Sequence, residues 1–240
     1  MKKVQISCFS LFAAVMMFLS SCSEGDKKGA ETDTTATVTP EPVNTIVTTP
    51  ENMVLVMHKV ADFNKWLVLY ESHDSVRLAN GLHNYVIGRG LTDTNTVLVA
   101  MKADDFARAK AFTQSGELKN AMKRGGVTSA PESHFVLVEW QDTVNVGNIP
   151  RVLTSFTLKD KDVWRKVFDE GQQERTENGL VLRNVGRDAD NANQIKLVTA
   201  ITDTAKAFAY YKSDAMKKRI TDGGILGEPK RFIFTIVKRY

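Results

Sequence analysis

The sequence predicts an α+β protein built from two copies of one ferredoxin-like βαββαβ unit. Three observations carry this expectation. The run WLVLYESHDSVRLANGL at Trp66–Leu82 returns as WRKVFDEGQQERTENGL at Trp164–Leu180, 98 residues later. The same offset then holds without a gap through the rest of both copies. Each copy also alternates strand and helix patterns in one order, and Met53–Tyr240 is too long for one simple domain but right for two small ones.

The coincidences span the whole unit. Val54 meets Val152, Gly88-Arg89 meets Gly186-Arg187, and Asn95 meets Asn193. Ala109 meets Ala207, Ser115 meets Ser213, Gly125-Gly126 meets Gly223-Gly224, and Pro131 meets Pro229. The elements follow in order. Val54–Val60 and Val152–Leu158 are short, β-branched and apolar, and read as first strands. Asp62–Ala79 and Asp160–Glu177 have helical apolar spacing, an Asp at the start to cap the free N–H groups, and Asn-Gly at the stop. Asn84–Leu91 and Val181–Asp188 are second strands. Thr96–Lys102 and Gln194–Ile201 are third strands, entered through Asp- and Asn-rich turns. Asp104–Arg124 and Asp203–Asp222 are helices broken near Ser115 and Ser213, each ending in Gly-Gly. Phe135–Trp140 and Arg231–Lys238 are the last strands, with Gln141–Pro150 as connector. The order is the split βαβ unit.

Several stretches carry a family resemblance: Ala61-Asp62-Phe63-Asn64-Lys65-Trp66, Arg77-Leu78-Ala79-Asn80-Gly81-Leu82, and Phe112 to Met122 before Gly125-Gly126-Val127. Each copy resembles the dimeric α+β barrel superfamily, which includes the antibiotic-biosynthesis monooxygenases. The resemblance implies two units packed sheet to sheet as a single-chain, pseudo-dimeric barrel. The strands support this physically, because both faces of Val54-Leu55-Val56-Met57 and Phe232-Ile233-Phe234 are apolar and a single helical layer covers only one of them. A monomer with an internal pseudo-two-fold is the expected state.

In that superfamily, ligands occupy the space between a sheet and its helices. The helix face toward the sheet is Trp66, Leu69, Tyr70, His73 and Arg77 in the first copy, and Trp164, Val167, Phe168, Gly171 and Arg175 in the second. The tryptophans read as core. Arg77 and Arg175 read either as ligands of nearby carbonyls and carboxylates or as an anion clamp. Histidine distinguishes the copies: His58, His73, His83 and His134 all lie in the first, opposite Phe156, Gly171, Val181 and Phe232. Strand adjacency would bring His58 and His134 together, with His73 and His83 approaching the same region, into one pocket; the alternative is scattered histidines, each satisfied on its own. The candidate site is a shared pocket of His58, His73, His134 and Arg77. No metal-binding spacing accompanies them, no cofactor motif is present, and the Asn, Trp and His used by haem-degrading members are missing from the matching elements. The expected activity is binding of a small hydrophobic ligand or a structural role. The alternative is a cofactor-free monooxygenase-like enzyme with its pocket in the first repeat.

The N-terminus sets the expected address. Lys2-Lys3 precede the apolar run Val4–Leu19, too short to span a membrane comfortably. Leu19-Ser20-Ser21-Cys22 resembles the lipobox of bacterial lipoproteins, which implies a signal peptide over residues 1–21 and lipidation of Cys22. Ser23 resembles outer-membrane sorting, so an envelope lipoprotein facing the periplasm or the outside is expected. Ser23–Asn52 holds eight threonines, three prolines and no aromatic residue, and reads as a tether. Loss of Lys2 and Lys3 lowers the net charge from +4 to +2, so the basic pI is no sign of a nucleic-acid partner.

Overall fold

The structure is a computed structural model and describes residues 44–240. The expected signal peptide, Cys22 and the part of the expected tether up to residue 43 lie outside the described residues. The first repeat comprises β1 (Ile46–Val47), β2 (Glu51–Lys59), α1 (Phe63–Ser72), α2 (Asp74–Ala79), β3 (Leu82–Gly90), β4 (Thr96–Ala103), α3 (Phe106–Gln114), α4 (Gly116–Arg124) and β5 (Glu132–Asp142). The second comprises β6 (Arg151–Leu158), α5 (Lys161–Glu170), α6 (Gln172–Glu177), β7 (Leu180–Asp188), β8 (Gln194–Ile201), α7 (Thr204–Lys212), α8 (Asp214–Asp222) and β9 (Ile225–Arg239).

Local chemistry places these elements where the sequence puts them. Asp62, Asp105, Asp160 and Asp203 each accept a backbone N–H at a helix start. Ser115 and Ser213 close one helix and cap the next. Gly81 and Gly179 take φ of 69° and 72° after the Asn residues, a conformation that a Cβ would strain. Several boundaries differ from the sequence reading, among them the start of β9 at Ile225, six residues before the expected Arg231. The first long helix of each repeat is broken, at His73 and at Gly171. Ile46-Val47 and Glu51-Asn52, assigned to the tether by composition, are strand: Ile46 pairs with Asp142 and Glu51 with Val138. A composition averaged over thirty residues conceals two apolar side chains that find a sheet edge. For the same reason β5 runs to Asp142, two residues into the expected connector.

The half-sheets have the orders β5-β2-β4-β3 and β9-β6-β8-β7, and β3 joins β9 while β5 joins β7. The sheet therefore closes into a barrel, as the family resemblance implies. Its two seams are symmetry mates. Gly88 pairs with Ile236 in one and Val138 with Gly186 in the other, each residue standing 98 positions from its counterpart. Met53, Leu55, Leu98, Val136, Leu153 and Phe234 fill the lumen. Val54, Val56 and Val99 turn outward beneath Trp66 and Phe112, and Ile195 and Leu197 turn outward beneath Trp164. Alternate residues thus serve two cores, which explains why both strand faces are apolar.

The seam glycines support a prediction. A Cβ on Gly186 would sit 2.7 Å from the Leu137 carbonyl oxygen and from a Val136 methyl; on Gly88 it would meet the Phe234 ring at 2.5 Å. The ring borders a lumen cavity of about 90 Å³ and has room to tilt, whereas a paired carbonyl does not. Gly186→Ala should cost about 3 kcal/mol, at the upper end for overpacking, and Gly88→Ala about 1 kcal/mol. Urea unfolding of both variants checks this; equal losses would contradict it.

Candidate functional site

The break at His73 shapes the first site. Where α1 stops, the Tyr70 carbonyl keeps only a long bond from the His73 N–H at 3.3 Å, and Arg77 reaches back seven residues to donate to it at 2.6 Å. The Arg77 guanidinium lies 3.7 Å from the Tyr70 ring centroid. Its remaining donors go to Asn84 Oδ1 at 3.0 Å and Asp74 Oδ1 at 3.4 Å. Tyr70 Oη donates to the same Asn84 oxygen at 2.5 Å, and Asn84 Nδ2 donates to Asp74 at 2.6 Å. Burial pushes the Tyr70 phenol pKa up. Arg77 is 5% exposed, and each of its three guanidinium nitrogens has an acceptor. It staples the helix break to β3, the first of the two roles its position allowed.

Above this network lies an apolar cavity of about 70 Å³ between the sheet and α1, α2 and α4. All five helix-face residues anticipated for the first copy line it, Trp66, Leu69, Tyr70, His73 and Arg77, and His58 rises into it from β2. His58 is 4% exposed and packs edge-on to Trp66 at 5.5 Å between centroids. Neither ring nitrogen has a hydrogen-bond partner. Burial alone lowers its pKa from the ordinary 6.5 to about 4, so the ring is neutral at physiological pH.

The other histidines do not join it. His134 pairs with Leu55, a lumen residue, so it faces the side opposite to His58. One residue of register decides the face of a strand. His134 borders a charged cavity of about 490 Å³ at one mouth of the barrel, with Glu132, Lys196 and Lys230. Burial and then the Lys196 charge hold its pKa below the ordinary value. His83 sits on the surface with Nε2 2.9 Å from Asp104. The shared four-residue pocket is therefore corrected to His58, His73 and Arg77, with His134 elsewhere.

Solved structures share the architecture. An anthrone oxidase-like protein matches with a TM-score of 0.56 at 14% identity, over 81% of this chain and 95% of its own. A proposed chlorite dismutase matches with a TM-score of 0.52 at 14% identity, over 79% and 95%. A proposed monooxygenase from Fusobacterium nucleatum matches with a TM-score of 0.51 at 16% identity, over 79% and 93%. No protein-family model matches the chain, and no curated protein sequence matches it. The chain shares the fold of these proteins, across both halves. At such identities the likeness reaches the fold and stops short of the chemistry.

Among the described residues, no three His, Cys, Asp or Glu side chains gather as a metal site. The second repeat, in contrast, carries polar groups that the histidine comparison passed over. Its cavity of about 90 Å³ is lined by Thr154, Thr199, Arg175, Arg219 and Arg231 among aromatic and aliphatic walls. At offset 98, Thr154, Thr199, Arg219 and Arg231 stand opposite Val56, Met101, Ala121 and Ser133. Comparing the copies in the other direction, polar in the second against apolar or small in the first, is the signal that finds them.

Proposed function

We propose that the chain is an envelope lipoprotein whose barrel domain binds a small, mostly apolar ligand in the first-repeat cavity, with His58 as its polar anchor. The supporting observation is the pair of unpartnered imidazole nitrogens facing an apolar space. A buried polar group without a partner costs about 1–3 kcal/mol, and a ligand hydroxyl or carbonyl would remove that cost. Trp66 and Tyr70, stacked at 5.0 Å between centroids, offer the flat wall an aromatic or polyene ligand favours. A cofactor-free monooxygenase-like activity would use the same imidazole as base. A pKa of about 4 makes it a weak one, so binding stands first.

Native mass spectrometry of the mature protein purified from its own envelope tests the reading. Wild-type protein should retain a small-molecule adduct that His58→Phe, which installs the second repeat's residue, does not. The same adduct on both proteins would remove His58 from the site.

A further inference from the structure

The second-repeat cavity poses a separate problem of charge. Arg231 lies over the Tyr211 ring at 4.5 Å, its Nε buried without an acceptor, and it forms no ion pair among the described residues. Arg175 repeats the Arg77 staple, donating to the Phe168 carbonyl at 2.6 Å with its guanidinium 3.7 Å from the Phe168 centroid. Its two other partners are gone, since Leu182 and Gln172 stand where the first repeat has Asn84 and Asp74. Arg219 enters from α8 and bonds Glu174 at 2.9 Å. Three guanidinium groups thus share one apolar cavity with one carboxylate paired to them. Burial holds the Arg175 pKa down to about 10 and lowers that of Arg231 from its ordinary value, yet both stay charged at neutral pH.

The backbone accommodates this cluster. Gly171, opposite His73, is the point where the guanidinium groups come close: a Cβ there would lie 3.1 Å from Arg175 Nη1 and 3.3 Å from Arg219 Nε. The loss of a histidine and the gain of an arginine at Ala121's counterpart are therefore one spatial change. Half-buried cations with spare donors against an apolar wall are poorly solvated unless an anion meets them, and the guanidinium fork matches a carboxylate. The rest of the wall, including Trp164, Leu197 and Ile220, is apolar.

We propose that the second-repeat cavity is a binding site for a small carboxylate with an apolar body, its carboxylate held by Arg175, Arg219 and Arg231 and its body by the Trp164 and Phe168 side. The site is independent of the first-repeat cavity.

Isothermal titration calorimetry of the mature chain with benzoate and hexanoate tests it, with benzyl alcohol and inorganic phosphate as controls. At least one carboxylate should bind, the neutral alcohol and phosphate at least tenfold more weakly. Arg219→Ala and Arg231→Ser, which install the first repeat's residues, should each weaken carboxylate binding at least tenfold. His58→Phe should leave it unchanged, which separates this site from the first. Ligand-observed NMR on the wild-type protein, with benzyl alcohol as competitor, supplies a readout that needs no variant to fold; benzoate should resist displacement. No carboxylate binding, equal binding of the alcohol or phosphate, displacement by the alcohol, or full affinity in both arginine variants would each overturn the proposal.

Discussion

His58→Phe should flatten the acid side of the stability profile by about 3 kcal/mol. In the folded chain burial favours the neutral ring and lowers its pKa from 6.5 to about 4. Between those values the unfolded chain binds a proton that the folded chain refuses. Stability from this group is complete above pH 6.5 and drains away as the pH falls toward 4. His134 is shifted in the same direction, but it is present in both proteins, so the difference between their profiles isolates His58. Urea unfolding at pH 7.0, 5.5 and 4.5 measures it; parallel profiles would refute a buried, unpartnered imidazole. The variant should also fold slightly better at pH 7, because two unsatisfied nitrogens disappear. Phe156 already occupies the matching place, 5.7 Å from Trp164, where His58 lies 5.5 Å from Trp66. A variant that gains stability as it loses its ligand is the expected behaviour of a residue kept for binding.

The same pair of repeats shows what the sequence makes legible. A constant offset of 98 residues exposes the duplication, element order and helix caps follow from local patterns, and the barrel is what the family resemblance implies, with strand faces apolar on both sides as its physical support. Register is not legible in this way. His58 and His134 lie on neighbouring strands, as expected, but the pairing of Leu55 with His134 turns their side chains to opposite faces. The break at His73 is equally quiet, since neither proline nor glycine marks it in the first copy. Only Gly171 in the second copy betrays that the chain stops being helical there. The arginine cluster was legible in principle. A search for histidine sees what the first copy has and the second lacks, while Arg219 and Arg231 are found only by asking the reverse.

Cys22→Ala, placed behind a leader that is cleaved without reference to the cysteine, should abolish labelling by radioactive palmitate and move the protein wholly into the soluble fraction. The proposal of lipidation predicts an all-or-none effect because it makes the acyl chains the anchor. No described helix is long and apolar enough to cross one. The most exposed large apolar side chains, Val68 and Leu226, belong to different repeats, and the net charge of +2 expected once the proposed leader is removed gives weak attraction to anionic lipid. Acyl chains contribute roughly 0.8 kcal/mol per buried methylene, so two or more of them outweigh these surface terms several-fold. The wild-type protein behind its own leader supplies the membrane-bound reference. Persistent label on the variant would place the acyl group on another residue. Persistent membrane association without label would mean that the barrel itself, through a lipid-facing or partner-facing surface, does the anchoring.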